Sequence, residues 1–110
     1  MPFAEWGRQR LHYQVHGHPD SPPLLLVMGM GMPASAWVTF PDRLAERFRV
    51  VTFDNRGTGR STMPRGRLRI RDMADDATRV LDAAGVARAD VFGISMGGMI
   101  AQELALRHPR

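Results

Sequence analysis

One pentapeptide near the end of the sequence has the residue types and the spacing of a catalytic nucleophile. Gly93-Ile94-Ser95-Met96-Gly97 is a G-x-S-x-G pattern between an apolar segment and a helical pattern. In such a nucleophile elbow the serine sits at the apex of a strained turn, so the residues two positions away on either side must be small. The N–H groups of the following helix point to the place where negative charge develops during acyl transfer. The pattern predicts a serine nucleophile at Ser95, and the alternative is a serine that caps the helix.

A second pattern, earlier in the chain, predicts different chemistry. After an apolar run, Gly29, Gly31 and Ala34 have the spacing of a dinucleotide-binding turn. Asp54 follows another apolar run about 20 residues later, where such sites place the acid that holds a ribose hydroxyl. This alternative is an oxidoreductase module. Pro33 is unfavourable for it, because a proline lies where the helix of the fingerprint should gather hydrogen bonds.

The composition excludes several classes of site. The 110 residues include no cysteine, which excludes disulfides, thiolate metal sites and a cysteine nucleophile. The first residues lack the apolar core of a signal peptide, and no apolar run approaches the roughly 20 residues of a membrane span. We therefore expect a cytoplasmic protein that has no metal site and does not bind membranes; the absence of a cofactor is implied only by the family resemblance given below.

The net charge of +4 comes from 15 arginines and no lysine. Six of these arginines fall between Arg56 and Arg71, a density that is also found in nucleic-acid-binding segments. However, no aromatic residues are interleaved with them, and acidic residues follow at once. We interpret the segment as a solvated loop and expect no nucleic-acid partner.

Strands and helices alternate along the chain, which is typical of an α/β fold. We expect strands at FAEW, RLHYQVHG, LLLVM, RVVTFD and ADVFGI, and helices at PDRLAERF, from Asp72 to Ala84, and at MIAQELALRH. The first two strands predict an antiparallel hairpin, and the run LLLVM is typical of a strand that is buried on both faces. The sequence predicts one domain, residues 1–110, with a mostly parallel sheet, an N-terminal antiparallel hairpin and helices on both faces.

In this order, the segments resemble the α/β-hydrolase family over nearly the whole chain. RLHYQVHG is similar to the second strand of that family, LLLVMGMGMPASAW to its third strand and oxyanion loop, and DNRGTGRS to its D-x-R-G-x-G-x-S loop. GISMGGMIAQELALRHP resembles its nucleophile elbow and the helix that follows. The closest likeness is to the cofactor-free branch of esterases, enol-lactonases, methylesterases and perhydrolases. The resemblance implies a partial fold, with strands 1–5 and the first three helices.

The resemblance also implies roles for the residues of both patterns. Gly29 and Met30 would shape an oxyanion hole in which the Met30 N–H is paired with the Met96 N–H. Gly93 and Gly97 would support the turn around the serine. Backbone groups supply both donors, so a methionine can serve in the loop. By this interpretation the early glycine turn receives an oxyanion and not a pyrophosphate.

The substrate implied by the resemblance is a small carboxylic ester or lactone. Met32 and Trp37 are candidates for the wall of its pocket, although methionine and tryptophan also fill gaps in a core. Met28 departs from the pattern of many relatives, which have histidine there. A non-catalytic relative that keeps the fold as a binding module is a further alternative, and the sequence does not indicate the oligomeric state.

A serine of this kind needs a histidine base and an acid, which follow it in the family's chain order. His108 would lie about 20 Å from Ser95 along the predicted helix. The other histidines, His12, His16 and His18, belong to or follow a strand that would be three places, about 14 Å, from that of the serine. We expect the chain to be the N-terminal part of an enzyme, with the strand VFGI at an open, aggregation-prone sheet edge.

We predict that purified residues 1–110 lack esterase turnover, because the general base is missing. Hydrolysis of p-nitrophenyl acetate, measured with and without Ser95→Ala, checks this. Turnover that depends on Ser95 would contradict it.

Overall fold

The segments that the computed structural model describes are residues 3–6, 9–29, 32–55, 61 and 69–108. Within them the elements are β1 Phe3–Trp6, β2 Gln9–His16, β3 Pro23–Val27, α1 Phe40–Leu44, β4 Arg49–Phe53, α2 Ile70–Ala83, β5 Asp90–Gly93 and α3 Met96–Arg107. A 3₁₀ helix, Ala34–Trp37, precedes α1. None of these helices is long and apolar enough to cross a membrane.

The strands form one mixed sheet in the order β1-β2-β4-β3-β5. β1 and β2 pair antiparallel, as the predicted hairpin requires, and β2 is also antiparallel to β4. β3 is parallel to both β4 and β5. The carboxyl ends of β3, β4 and β5 therefore lie at the same end of the sheet. Open α/β sheets bind ligands at this end. With helices on both faces of this sheet, the predicted α/β fold class is confirmed.

The apolar run of β3 is buried on both faces of the sheet, as its sequence predicts. Leu25 and Val27 belong to the core on the side of α2 and α3. Leu26 points to the other side and packs with Trp37 and Val50 under the 3₁₀ helix and α1. Each such side chain contributes roughly 1.5–3 kcal/mol when it is fully buried. This burial anchors β3 in the middle of the fold, so the loop after it starts from a rigid point.

The helix boundaries differ from the sequence pattern mainly at the glycines. α3 begins at Met96, so Gly97 and Gly98, which the pattern predicts as a turn, are helical. α2 begins at Ile70 rather than Asp72, because Ile70 packs against the core and adds to the first turn. α1 is shorter than the predicted segment. We attribute the starts of α3 and α2 to tertiary contacts. For α3 such contacts are needed because propensity alone disfavours glycine in a helix.

Two glycines of the elbow are required by close backbone contacts. A Cβ atom at Gly97 would overlap the carbonyl group of Val27 and lie 3.0 Å from the carbonyl oxygen of Met28. A Cβ atom at Gly93 would overlap the Gly97 carbonyl and lie 2.7 Å from the nitrogen of Gly98. α3 therefore starts in direct backbone contact with the end of β3, and only glycine permits this.

We predict opposite effects for alanine at two adjacent glycines. Gly97→Ala should lower the free energy of unfolding by about 3 kcal/mol, because its methyl group must displace β3 backbone. Gly98→Ala should raise it by roughly 0.5–1 kcal/mol, because alanine is the better helix residue and a Cβ there makes only an ordinary contact of 3.6 Å. Urea unfolding of both variants measures the difference, and similar effects for the two would contradict the close approach.

Ser95 and Val38 share a backbone conformation that residues with a side chain avoid. Ser95, directly before α3, has φ 57° and ψ −119°, and Val38, directly after the 3₁₀ helix, has φ 59° and ψ −116°. Residues in such sparsely populated regions cost of order 1–3 kcal/mol each and occur where the surrounding structure forces them. At Ser95 this conformation is imposed by the close approach of α3 to β3. The strained turn that the G-x-S-x-G pattern predicts is present.

We expect glycine at position 95 to relieve this strain. Ser95→Gly should be more stable than Ser95→Ala by about 1 kcal/mol, since both variants lose the hydroxyl but only glycine adopts the conformation without cost. Val38→Gly should gain stability for the same reason, whereas Ser35→Gly, inside the 3₁₀ helix, should lose it. Thermal and urea unfolding check all four variants, and a less stable Ser95→Gly would show that the turn is not strained.

Candidate active site

Ser95 lies just beyond the carboxyl end of β5, and its side chain is open to solvent. The Ser95 carbonyl accepts the Gly98 N–H at 2.9 Å, and the Ile94 carbonyl accepts the Gly97 N–H at 2.8 Å, so the chain turns tightly around the serine. The hydroxyl makes no capping bond to α3. Ordinary N-cap residues have extended backbone, which Ser95 does not. Its hydroxyl is therefore not used for capping.

The loop after β3 starts beside Ser95. A Cβ atom at Gly29 would lie 3.5 Å from the Ser95 Cβ and 4.0 Å from the Ser95 Oγ. The Ile94 N–H donates to the Val27 carbonyl at 3.1 Å and joins the two segments. Gly29 has no side chain, so none of its own atoms beyond the backbone lies between it and the Ser95 hydroxyl.

The two predicted oxyanion donors are the N–H groups of Met96 and Met30, and the structure describes the first of these residues. Met96 is the first residue of α3, where helix N–H groups have no intrahelical acceptor. Met30 lies outside the described residues. The role of its N–H in an oxyanion hole therefore stays a prediction.

Two buried polar side chains at the carboxyl end of β4 hold the loop that follows β3. The Asp54 Oδ1 accepts the Ala34 N–H at 2.6 Å, and the Asn55 Nδ2 donates to the Met28 carbonyl at 3.0 Å. The Asp54 carboxylate thus reaches the loop after β3, and the Asp54 carbonyl oxygen accepts a bond from the Ser61 hydroxyl at 2.6 Å.

The same geometry disfavours the dinucleotide alternative. Asp54 is 4% exposed, and its bond to Ala34 occupies the carboxylate that would hold a ribose. After the glycines the chain forms a 3₁₀ helix of four residues with Pro33 at its N-cap. A dinucleotide fingerprint needs the N-terminus of a regular helix at this point.

Aromatic rings cover the side of the sheet next to this loop. Trp37 is 7% exposed, and its ring centroid lies 5.8 Å from that of Phe40 and 6.2 Å from that of Phe92. Trp37 therefore packs in the core, and a substrate contact by it stays a prediction. Met32, the other pocket candidate, is exposed. The half-exposed rings of Phe40 and Phe92 were not singled out by the sequence, because they come from α1 and from the edge strand β5.

The described histidines lie away from Ser95. β2, which carries His12 and His16, is three places from β5 in the sheet order, or about 14 Å. His108 follows the far end of the 12-residue α3, about 18 Å along the helix axis. All four histidines contact acidic residues, in the pairs His12–Asp54, His16–Asp42, His18–Asp20 and His108–Asp75. At these separations His12, His16 and His108 do not contact the Ser95 hydroxyl.

The sequence also predicts that the arginine-rich segment is a solvated loop and that the chain has no metal site. Most of the arginine-rich segment, residues 56–60 and 62–68, lies outside the described residues. Arg69 and Arg71, at its end, are exposed. Within the described parts of the chain, no three His, Asp or Glu side chains come together as a metal site.

Three known proteins illustrate what the chain is similar to. The proposed carbamate hydrolase RutD of Azorhizobium caulinodans is 46% identical over 109 residues, which are 99% of this chain and 40% of that protein. The crystal structure of the enol-lactonase from Burkholderia xenovorans LB400 has a TM-score of 0.92 and 34% identity, over 98% of this chain and 42% of the lactonase chain. Est816, described as an N-acyl homoserine lactone degrading enzyme, has a TM-score of 0.91 and 34% identity, over 98% and 41%. The chain thus spans about 40% of the length of these proteins.

The family assignment depends on how much of the chain is matched. The family model for the α/β hydrolase fold matches residues 22–110. This range contains the loop after β3, the strained serine and the helix behind it. The chain belongs to the α/β hydrolase fold family.

Proposed function

We propose that this chain carries the nucleophile and the oxyanion loop of a serine hydrolase that acts on carboxylic esters or lactones through an acyl-enzyme. The observation that supports this most directly is the strained, solvent-open Ser95 with the side-chain-free Gly29 beside it. Backbone strain of this size persists only where the structure over-determines it, and such positions cluster at functional sites.

In the proposed reaction the Ser95 Oγ attacks the substrate carbonyl carbon, and a histidine base takes the hydroxyl proton. The carbonyl oxygen becomes an oxyanion, which accepts hydrogen bonds from the N–H groups of Met96 and Met30. The C–O bond to the leaving group then breaks, and the histidine returns the proton to the leaving alkoxide. Water, deprotonated by the same base, hydrolyses the acyl-enzyme and restores Ser95.

The acid and the histidine of this mechanism come, in our proposal, from outside residues 1–110. The histidines of the chain lie three strands or a whole helix away from Ser95. The family places both groups after the nucleophile in sequence. This agrees with the chain's share of about 40% of its relatives' length.

The names of the relatives support the choice of substrate class. An enol-lactonase and an N-acyl homoserine lactone degrading enzyme are among them, and lactones are cyclic esters. The relative from Azorhizobium is named for carbamates, whose carbonyl carbon is open to the same attack. We propose Met32 as an apolar contact of the substrate, since it belongs to the loop after β3 and is 47% exposed.

A fusion protein tests the proposal. It joins residues 1–110 to the part of the Azorhizobium relative that follows its matched segment, and we call it the fusion enzyme. We expect labelling by a fluorophosphonate probe and hydrolysis of p-nitrophenyl acetate and δ-valerolactone, both abolished by Ser95→Ala. Gly29→Ala should lower kcat/KM about tenfold or more, because its methyl group would lie 4.0 Å from the Oγ in the space of the reacting carbonyl.

Gly98→Ala is the matched control, since it adds the same methyl group behind the elbow and should leave kcat/KM unchanged. Labelling that survives Ser95→Ala would refute the nucleophile. A folded fusion enzyme that is neither labelled nor active would favour the non-catalytic alternative. A carbamate ester as a third substrate distinguishes the class named by the Azorhizobium relative from the lactone class.

A further inference from the structure

We infer that Asp54 and Asn55 are positioning residues that hold both ends of the oxyanion loop, defined here as residues 28–34. The inference rests on the proposed function, because it assigns these side chains to the geometry of the oxyanion hole. The Asn55 amide binds the first residue of the loop, through the Met28 carbonyl at 3.0 Å. The Asp54 carboxylate binds its last residue, through the Ala34 N–H at 2.6 Å. Two consecutive residues that directly follow the neighbouring strand β4 thus bind both ends of the loop.

Burial makes these two contacts strong. Asp54 is 4% exposed and Asn55 is 1% exposed. A buried charge is costly unless it is hydrogen-bonded, so the carboxylate has a strong preference for the position in which Ala34 donates to it. A hydrogen bond to an ionised acceptor is also roughly twice as strong as a neutral one. The short distance fits a bond of this kind.

Asp54 is itself held from the opposite side by β2. The His12 Nδ1 lies 3.5 Å from the Asp54 Oδ2, and His12 is 6% exposed. The Asp54 N–H donates to the His12 carbonyl at 2.9 Å, as part of the backbone pairing of the two segments. The His12 N–H donates to the Ser61 hydroxyl at 3.0 Å, and this hydroxyl donates to the Asp54 carbonyl. The carboxylate therefore has a fixed place from which to hold the loop.

The oxyanion loop depends on these end contacts. Among its described residues, one backbone bond lies within it, from the Met32 N–H to the Gly29 carbonyl, and it is long at 3.4 Å. An oxyanion donor works only when it lies 2.7–3.1 Å from the developing charge, and loss of one donor costs roughly 10²–10³ in kcat. Loosening either end should therefore move the Met30 N–H and slow the chemical step without weakening ground-state binding.

The test uses the fusion enzyme with three substitutions of the contact between Asp54 and Ala34. Asp54→Leu removes the acceptor, and Asp54→Asn keeps a side-chain oxygen that the Ala34 N–H can reach. Ala34→Pro removes only the donor, at the first position of a helical turn, where proline is tolerated. The preceding Pro33 has φ −74° and ψ 165°, a conformation that a following proline accepts. This variant keeps the inference testable if Asp54→Leu does not fold.

We expect Asp54→Leu and Ala34→Pro to lower kcat by about 10- to 100-fold while KM changes by less than about threefold. Asp54→Asn should recover most of this loss. Asp75→Leu is the control, because Asp75 contacts Arg107 and His108 at the far end of α3, so it should affect stability but not kcat. Asn55→Leu should repeat the effect of Asp54→Leu from the other end of the loop.

A readout without turnover separates this inference from the proposed function. In the ¹H–¹⁵N spectrum the Ala34 amide proton should lie far downfield, as expected for a short bond to a carboxylate, and should move upfield in Asp54→Leu. If Ser95→Ala leaves hydrolysis intact, the proposed function is wrong, and so is the role in catalysis inferred for Asp54 and Asn55. The amide shift still tests whether Asp54 binds the Ala34 N–H. If hydrolysis depends on Ser95 but folded Asp54→Leu and Ala34→Pro keep wild-type kcat, the inference is overturned and the proposed function stands.

Discussion

The close approach of the start of α3 to the end of β3 is the constraint on which the candidate site depends. It requires Gly97, because a side chain there would overlap the Val27 carbonyl. It also requires Gly93, because the turn folds back on the backbone of the helix. The residue between these two contacts has no relaxed conformation available, so Ser95 takes a positive φ of 57°. The strain at Ser95 is thus a consequence of packing two backbone segments in contact, and the exposed hydroxyl follows from it.

The second half of the candidate site is arranged by buried polar groups rather than by packing. The described residues of the loop after β3 have one backbone bond among themselves, from the Met32 N–H to the Gly29 carbonyl. Asp54 and Asn55, which follow β4, supply side-chain groups that bind the ends of this loop. β3 and β4 are parallel and adjacent, so their carboxyl ends lie side by side at the end of the sheet where Ser95 also lies. One constraint exposes the Ser95 hydroxyl, and the other holds the loop after β3 beside it. Substrate specificity would then depend on groups other than the turn at Ser95 and the loop after β3.

Much of the fold could be predicted from local patterns. The alternation in the hairpin, the continuous apolar run of β3 and the G-x-S-x-G pattern each have a direct physical cause, and each appears in the structure where it was expected. The start of α3 was misplaced because glycines usually end helices, whereas Gly97 and Gly98 are helical here and Gly97 is required by its contact with β3.

The contacts between distant segments could not be predicted in this way. The Ala34 N–H that Asp54 accepts is 20 residues away in the sequence, and the Met28 carbonyl to which Asn55 donates is 27 residues away. No local pattern indicates which loop a side chain at a strand end will reach. The ring cluster of Trp37, Phe40 and Phe92 also joins separate segments. Resemblance to the family predicted an oxyanion loop after β3 but did not indicate which side chains bind its ends.

The most direct test of the central claim is a crystal structure of the fusion enzyme after reaction with a fluorophosphonate. The account predicts a phosphonyl group bonded to the Ser95 Oγ, a positive φ at Ser95, and a phosphonyl oxygen about 2.7–3.1 Å from the nitrogen of Met96 and from an N–H of the loop after Gly29. A relaxed, negative φ at Ser95, or an adduct whose oxygen points to solvent and away from these N–H groups, would contradict it.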